Sequence, residues 1–237
     1  KNLIHFQKPG TGVWSIDCLS GDSSEPTSIT IENSATVLST SAGGFLHMKD
    51  PVAFRTSDGF TQLVFCSHPF SWSSSNTGLA TREAAGEAFH LVTKSLLERG
   101  PSWDVACVRV TESLSLPQVG ILESLPPLSL YFYDGAECLR SLDQNPKAAR
   151  RPRGYSCEEL GGLAWGFDDE FPKLRRISED FPLFVSPHAT GCSRYASASF
   201  LADGTLTAAW QQVFADGSQP LVGHSLAAEE VVRILRA

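Results

Sequence analysis

The sequence predicts an all-β chain of repeated four-strand units, the pattern of a β-propeller, and three observations carry that expectation. Short β-rich runs alternate with Ser57-Asp58-Gly59, Asp134-Gly135, Asp203-Gly204 and Asp216-Gly217, and Asp-Gly between apolar runs is a favoured hairpin turn. Helical periodicity is confined to two short stretches. An ordered set of four features occurs twice: an acid opening an apolar strand, an aromatic strand, a Gly-Leu-Ala strand and an outer strand. Such repeats mark sheets that cannot bury both faces alone and stack on their neighbours as blades.

Along the chain, strands are expected at 28–31, 52–55, 62–67, 77–81, 90–93, 105–110, 128–133, 162–166, 174–177, 196–201 and 206–213, where β-branched and aromatic residues gather between turn residues. A helix at 84–88 is too short to stand alone. At 227–235, Val231 and Leu235, with Glu229 and Glu230 ahead of Arg233, suit a surface helix closing the chain. The first repeat runs Asp50-Pro51-Val52, 63–65, Gly78-Leu79-Ala80 and 89–92. The second runs Asp104-Val105-Ala106, 130–133, Gly162-Leu163-Ala164 and 172–177, with extra loop-like residues at 112–127 and 138–159. A third unit starts at Arg194-Tyr195 and continues through Asp203-Gly204, 206–210 and 221–225. Residues 1–237 are expected to form one propeller domain. The alternative is a β-sandwich in which the likeness of the two copies is coincidence.

With 42% hydrophobic and 19% charged residues the chain has the apolar content for a core and too little charge for a disordered segment. A net charge of -7 is the wrong sign for a surface that attracts polyanions, so neither nucleic acid nor an anionic membrane is expected as a partner. The six cysteines, Cys18, Cys66, Cys107, Cys138, Cys157 and Cys192, lack Cys-x-x-Cys or Cys/His metal spacing and read mostly as buried small hydrophobes. No cofactor is expected, and no ligand spacing supports a structural Ca²⁺. His-Glu-x-x-His, Gly-x-Ser-x-Gly and phosphate-loop patterns are missing. A start at Lys1, without Met or an apolar leader, is what a trimmed or processed product would have.

The run from Phe45 through Asp50-Pro51-Val52-Ala53-Phe54 before Asp58-Gly59, then Tyr131 to Gly135, Gly162-Leu163-Ala164, and Ser186-Pro187 ahead of Arg194-Tyr195 resemble the five-bladed propellers of the arabinanase, β-xylosidase and levansucrase superfamily, typified by glycoside hydrolase family forty-three. The resemblance spans roughly residues 36–225 through short motifs. It implies a five-bladed propeller with a pocket at one end of its axis, a carbohydrate substrate, and glycosidic bond cleavage or transfer by paired carboxyl groups. Two departures accompany it. The chain is short for five full blades, so the first is expected to be abbreviated or completed by both termini. The family's general acid is usually a Glu heading an inner strand, where this chain offers Asp17, Asp50 and Asp104.

Asp50 and Asp104 are expected to supply the base and positioning roles, because both precede an apolar strand at what reads as the same place in the repeat. Glycoside hydrolysis needs two carboxyl groups across the scissile bond. The acid would be Asp17, or a Glu of the inserted loop, where Glu159 beside Leu160-Gly161-Gly162 has more apolar surroundings than Glu137. For sugar binding, the loop from His68 through Trp72 to Ser75 and Asn76 offers an aromatic ring, hydroxyls and an amide. His188, Arg194 and Tyr195 gather at the head of the third unit, where Arg194 would fork onto a carboxylate of a catalytic acid, of an acidic sugar, or of a neighbouring blade. The basic run Lys147, Arg150, Arg151 and Arg153 reads as a solvated loop. The alternative function is a non-catalytic propeller that binds a glycan or a protein.

Overall fold

The computed structural model describes residues 2–8, 13–19, 21, 25–39, 47–68, 74–84, 87–136, 140–141, 155–156 and 159–237. The chain is mostly antiparallel sheet with one short α-helix, and it divides into two compact units, Lys1–Glu98 and Arg99–Ala237. Among the described residues no helix is long and apolar enough to cross a membrane.

In the first unit, β1 (Asn2–Lys8), β2 (Val13–Leu19) and β3 (Ser34–Leu38) form one sheet. The strands β4 (His47–Arg55), β5 (Thr61–His68), β6 (Asn76–Arg82) and β7 (His90–Leu97) form a second sheet in sequence order. The Asp58-Gly59 turn joins β4 to β5 as expected: Gly59 takes φ +89° and donates its N–H to the Thr56 carbonyl at 2.9 Å. Ile16, Leu38, Met48, Leu63, Phe65, Ala80 and Phe89 form the buried core of this unit.

In the second unit, β8 (Cys107–Ser115) and β9 (Leu128–Ala136) precede a short ribbon of β10 (Arg140–Ser141) and β11 (Tyr155–Ser156). Then come β12 (Leu160–Phe167) and β13 (Arg175–Arg176), giving a sheet of order β13-β12-β9-β8. The last sheet is β14 (Ser193–Phe200), β15 (Leu206–Gln212) and β16 (Leu221–Leu226), followed by α1 (Ala228–Leu235), which lies where the sequence places its helix.

The register of three sheets explains the repeat. Each first strand carries a bulge opposite an aromatic residue of the second strand: Asp50-Pro51 opposite Phe65, the stretch at Thr111 beside Tyr133, and Tyr195-Ala196 opposite Trp210. A cation stands just before the bulge at Lys49 and Arg194, and two residues before it at Arg109, paired with Cys66, Gln211 and Asp134. On the third strand, Gly78 faces Phe65 and Gly162 faces Tyr133. A Cβ at Gly78 would stand 2.6 Å from Phe65 Cζ, and one at Gly162 would collide with the Tyr133 ring. The Gly-Leu-Ala repeat is therefore the seat of an aromatic ring on a neighbouring backbone.

Several expectations are corrected. Asp50 and Asp104 are not equivalent: the register aligns Asp50 with Val110 and Tyr195, while Asp104 lies before β8 in an irregular turn. Asp134-Gly135 is no turn but the interior of β9, where a Cβ on Gly135 would come 2.7 Å from the Trp103 ring. Residues 28–31 are not a strand; 3-10 turns at Pro26–Ser28 and Ile31–Asn33 lead into β3. Within 84–88 the described residues form bends, with the Ala84 N–H bonded to Glu87 Oε2 at 3.0 Å.

Candidate functional site

The residues named from sequence fall into three groups. On the first unit, Asp17 sits mid-strand on β2 with its Oδ1 buried and lacking a hydrogen-bond partner among the described residues. Asp50 occupies the β4 bulge at φ +52°, with Lys49 Nζ 3.6 Å from its Oδ2 and part of its carboxylate exposed. Ser75 is buried, and Asn76 opens β6 with Nδ2 donating to Ser95 Oγ at 3.2 Å. His68 ends β5, its side chain outside the described residues. Trp72, Glu137, Cys138, Cys157 and the basic run at 147–153 also lie outside them.

On the second unit, Asp104 is 0% exposed and its Oδ2 accepts from Arg176 Nε at 3.1 Å. Its Oδ1 packs against Gly100, where any Cβ would collide with it. His188 is exposed on the loop before β14, its ring edge-on to Phe214 at 6.3 Å.

The third group is the site. Glu159, Arg194 and Tyr195 come together, joined by two residues the sequence reading passed over, Arg109 on β8 and Asp134 on β9. Arg109 Nη2 donates to Asp134 Oδ2 and to Glu159 Oε1, both at 2.6 Å. Arg194 completes the chain: Nη1 donates to Glu159 Oε2, Nε to Gln211 Oε1 at 2.8 Å, and Nη2 to Gln219 Oε1 at 3.0 Å. The Tyr195 N–H reaches both Asp134 oxygens, at 3.0 and 3.1 Å. Its ring lies with the Arg109 and Arg194 guanidinium carbons 4.4 and 5.1 Å from its centroid. Two residues further along β14, Ser197 Oγ donates to Glu112 Oε2 at 2.8 Å.

The local chain explains this assembly. Arg109 and Asp134 face each other in the β8–β9 register, flanked along their own strands by the buried Val108, Val110 and Tyr133. A cation enclosed this way is tolerable only if its donors meet carboxylates. Glu159 precedes β12, and its carbonyl accepts from the Ser193 N–H at 3.0 Å, which ties it to the start of β14. Asp134 and Glu159 are 1% and 2% exposed. Burial pushes the Asp134 carboxyl up to about 6, opposed by Arg109 and reinforced by the charge of Glu159. For Arg194, burial works against the charge, but Glu159 outweighs it and holds the pKa above the ordinary value.

Because both carboxylates touch Arg109 Nη2, their nearest oxygens are no more than about 5 Å apart, near the roughly 5–5.5 Å of a retaining glycosidase pair. The space between them holds the guanidinium nitrogen rather than room for a glycosidic bond. Of these five residues Tyr195 is the exposed one, at 42%. Tyr195 is also one of three non-glycine residues of positive φ among those described, at +55°. The site therefore presents an aromatic face on a neutralised bed of two cations and two anions. Among the described residues no group of three or more His, Cys, Asp or Glu is arranged to hold a metal ion.

No family model matches the chain. No curated protein matches it either. Among solved structures it is similar to an endo-arabinase from Bacteroides thetaiotaomicron, at 12% identity and TM-score 0.54 over 94% of this chain and 69% of that one. It also matches a sucrose-6-phosphate hydrolase from Lactobacillus gasseri, at 15% identity and TM-score 0.48 over 77% of this chain and 32% of that one. A Trypanosoma rangeli sialidase matches at 10% identity and TM-score 0.43 over 96% of this chain and 34% of that one. The chain thus spans only about a third of the hydrolase and the sialidase. Its likeness to the endo-arabinase is one of fold.

Proposed function

We propose that this chain is a carbohydrate-active β-propeller of the five-bladed glycoside hydrolase type, a single domain that binds a saccharide against the exposed face of Tyr195. The observation that carries the reading is Tyr195 itself. A bulky residue at positive φ is strained, and strain of this kind persists where surrounding structure over-determines it, most often at functional sites. Here the Asp134 carboxylate and the Arg109 guanidinium fix its backbone and its ring. A rigid aromatic face suits a sugar, whose C–H face stacks on it. The fold likeness to an endo-arabinase supports the same class.

For glycosyl hydrolysis or transfer, the reading favours Asp50 over Asp17, Asp104 and Glu159. Asp50 occupies the register position of Tyr195 in its own sheet and keeps part of its carboxylate in water, whereas Asp104 and Glu159 are enclosed on guanidinium groups. Those enclosed acids favour the second reading, a glycan-binding propeller without turnover.

One experiment separates them: product chromatography and thermal shift on arabinans, xylans, fructans and aryl glycosides, with wild type, Asp50→Asn and Tyr195→Ala. Hydrolysis predicts product from wild type and a loss on the order of a hundredfold or more in Asp50→Asn. Binding alone predicts no product, with a saccharide-induced thermal shift that disappears in Tyr195→Ala. If no saccharide releases product or shifts the melting curve, the carbohydrate reading is wrong.

A further inference from the structure

We propose that Asp134 is the positioning residue of the Tyr195 platform: its carboxylate holds the Tyr195 amide in the left-handed conformation, and adding a proton to it lets the platform go. The inference rests on the saccharide reading of Tyr195 for its functional half.

The hold spans two sheets. Asp134 belongs to the second strand of one sheet, yet it accepts from the first strand of the next with both oxygens, at 3.0 and 3.1 Å. The register makes this particular to one place. The positions equivalent to Asp134 in the other two sheets are Cys66 and Gln211, neither of them an anion. Asp134 also fixes the Arg109 guanidinium on which the Tyr195 ring rests. One carboxylate therefore sets both the backbone angle and the ring support.

The charged and titratable groups around Asp134 come from every element packed on it. Arg109 reaches it from β8, Glu159 faces it from the residue before β12, and Arg194 on β14 balances Glu159 from behind. Asp104 lies near the following residue, Gly135, but spends its carboxylate on Arg176. Burial and the Glu159 charge both favour the protonated form of Asp134, Arg109 opposes it, and the resulting value near 6 falls in an accessible range. A neutral carboxyl keeps a carbonyl oxygen for one N–H but loses the charge assistance that makes both bonds strong. Glu159 retains both arginines, so the change is local.

The test uses the full chain, ¹⁵N-labelled. The Tyr195 amide resonance is followed from pH 4.5 to 8, and affinity for whichever saccharide shifts the melting curve is measured over the same range. Asp134→Asn and Tyr195→Ala are run alongside. The amide shift is expected to titrate with a midpoint near 6, and the affinity to fall about tenfold below that midpoint, the weight of a lost charge-assisted bond. In Asp134→Asn both profiles are expected to be flat, with the affinity low throughout. A wild-type amide that does not titrate overturns the proposal, and that arm stands even if Asp134→Asn does not fold. Wild-type affinity and pH profile retained in Asp134→Asn overturn it as well. A titrating amide with no saccharide bound at any pH overturns the Tyr195 saccharide reading and leaves Asp134 as the holder of the amide.

Discussion

Tyr195 occupies a backbone conformation that glycine adopts without cost and a β-carbon does not. Ordinarily alanine is the safer replacement in a strand and glycine the more damaging one. At φ +55° the order reverses, so Tyr195→Gly should be more stable than Tyr195→Ala by about 1 kcal/mol in urea unfolding. Both should lose saccharide binding, because both lose the ring. Of the five charged and aromatic residues at the site, the sequence pointed to Glu159, Arg194 and Tyr195 and passed over Arg109 and Asp134. Asp134 was hidden by its neighbour: Asp-Gly reads as a hairpin, and only the packing of Trp103 against Gly135 shows why that glycine lies in mid-strand. Arg109 was legible in principle, as a cation within the otherwise apolar run from Cys107 to Val110. Its partners were not, because Glu159 is 50 residues away along the chain.

At the scale of elements, the third strand of each four-stranded sheet must pass under an aromatic ring. Gly162→Ala pushes a methyl into Tyr133, and Gly78→Ala pushes one into Phe65. Each should cost about 1–3 kcal/mol, the usual range for overpacking, with thermal or urea unfolding as the measure. A substitution at Leu163 that keeps its volume should cost less. These glycines made the repeat visible, and most strands of both four-stranded sheets and of the C-terminal sheet were legible with them. The N-terminal sheet was not, since the polar residues of β1 and β3, such as His5, Gln7 and Ser34, blur any alternation. The expected equivalence of Asp50 and Asp104 failed because it matched an acid before an apolar run. The structure aligns the sheets on the bulge instead, and a bulge has no fixed sequence mark when its residues are Asp-Pro, Thr and Tyr-Ala.

At the scale of the molecule, buried charge is concentrated at the Arg109, Asp134, Glu159 and Arg194 assembly, where two cations balance two anions. Removing one member leaves another enclosed without a counter-charge, so Arg194→Met or Glu159→Gln should cost roughly 3–5 kcal/mol in urea unfolding. Asp134 adds a pH term of defined sign. Its carboxyl keeps a proton to a higher pH in the folded chain than the roughly 3.9 of an unfolded aspartate. Between those values the folded state binds more protons than the unfolded one, so the contribution of Asp134 to stability falls as pH rises through that window and is level above it. Asp134→Asn should lack that slope, so the wild-type-minus-variant difference in urea-unfolding stability should fall as pH rises through the window and be level above it. The assembly supports Tyr195, which is exposed. The most direct measurement is therefore a saccharide titration followed on the ring and amide resonances of Tyr195 by NMR. Saturable shifts of both signals are expected with at least one oligosaccharide of the arabinan, xylan or fructan panel. Tyr195 signals that stay still while another region shifts, or no shift with any of them, would contradict it.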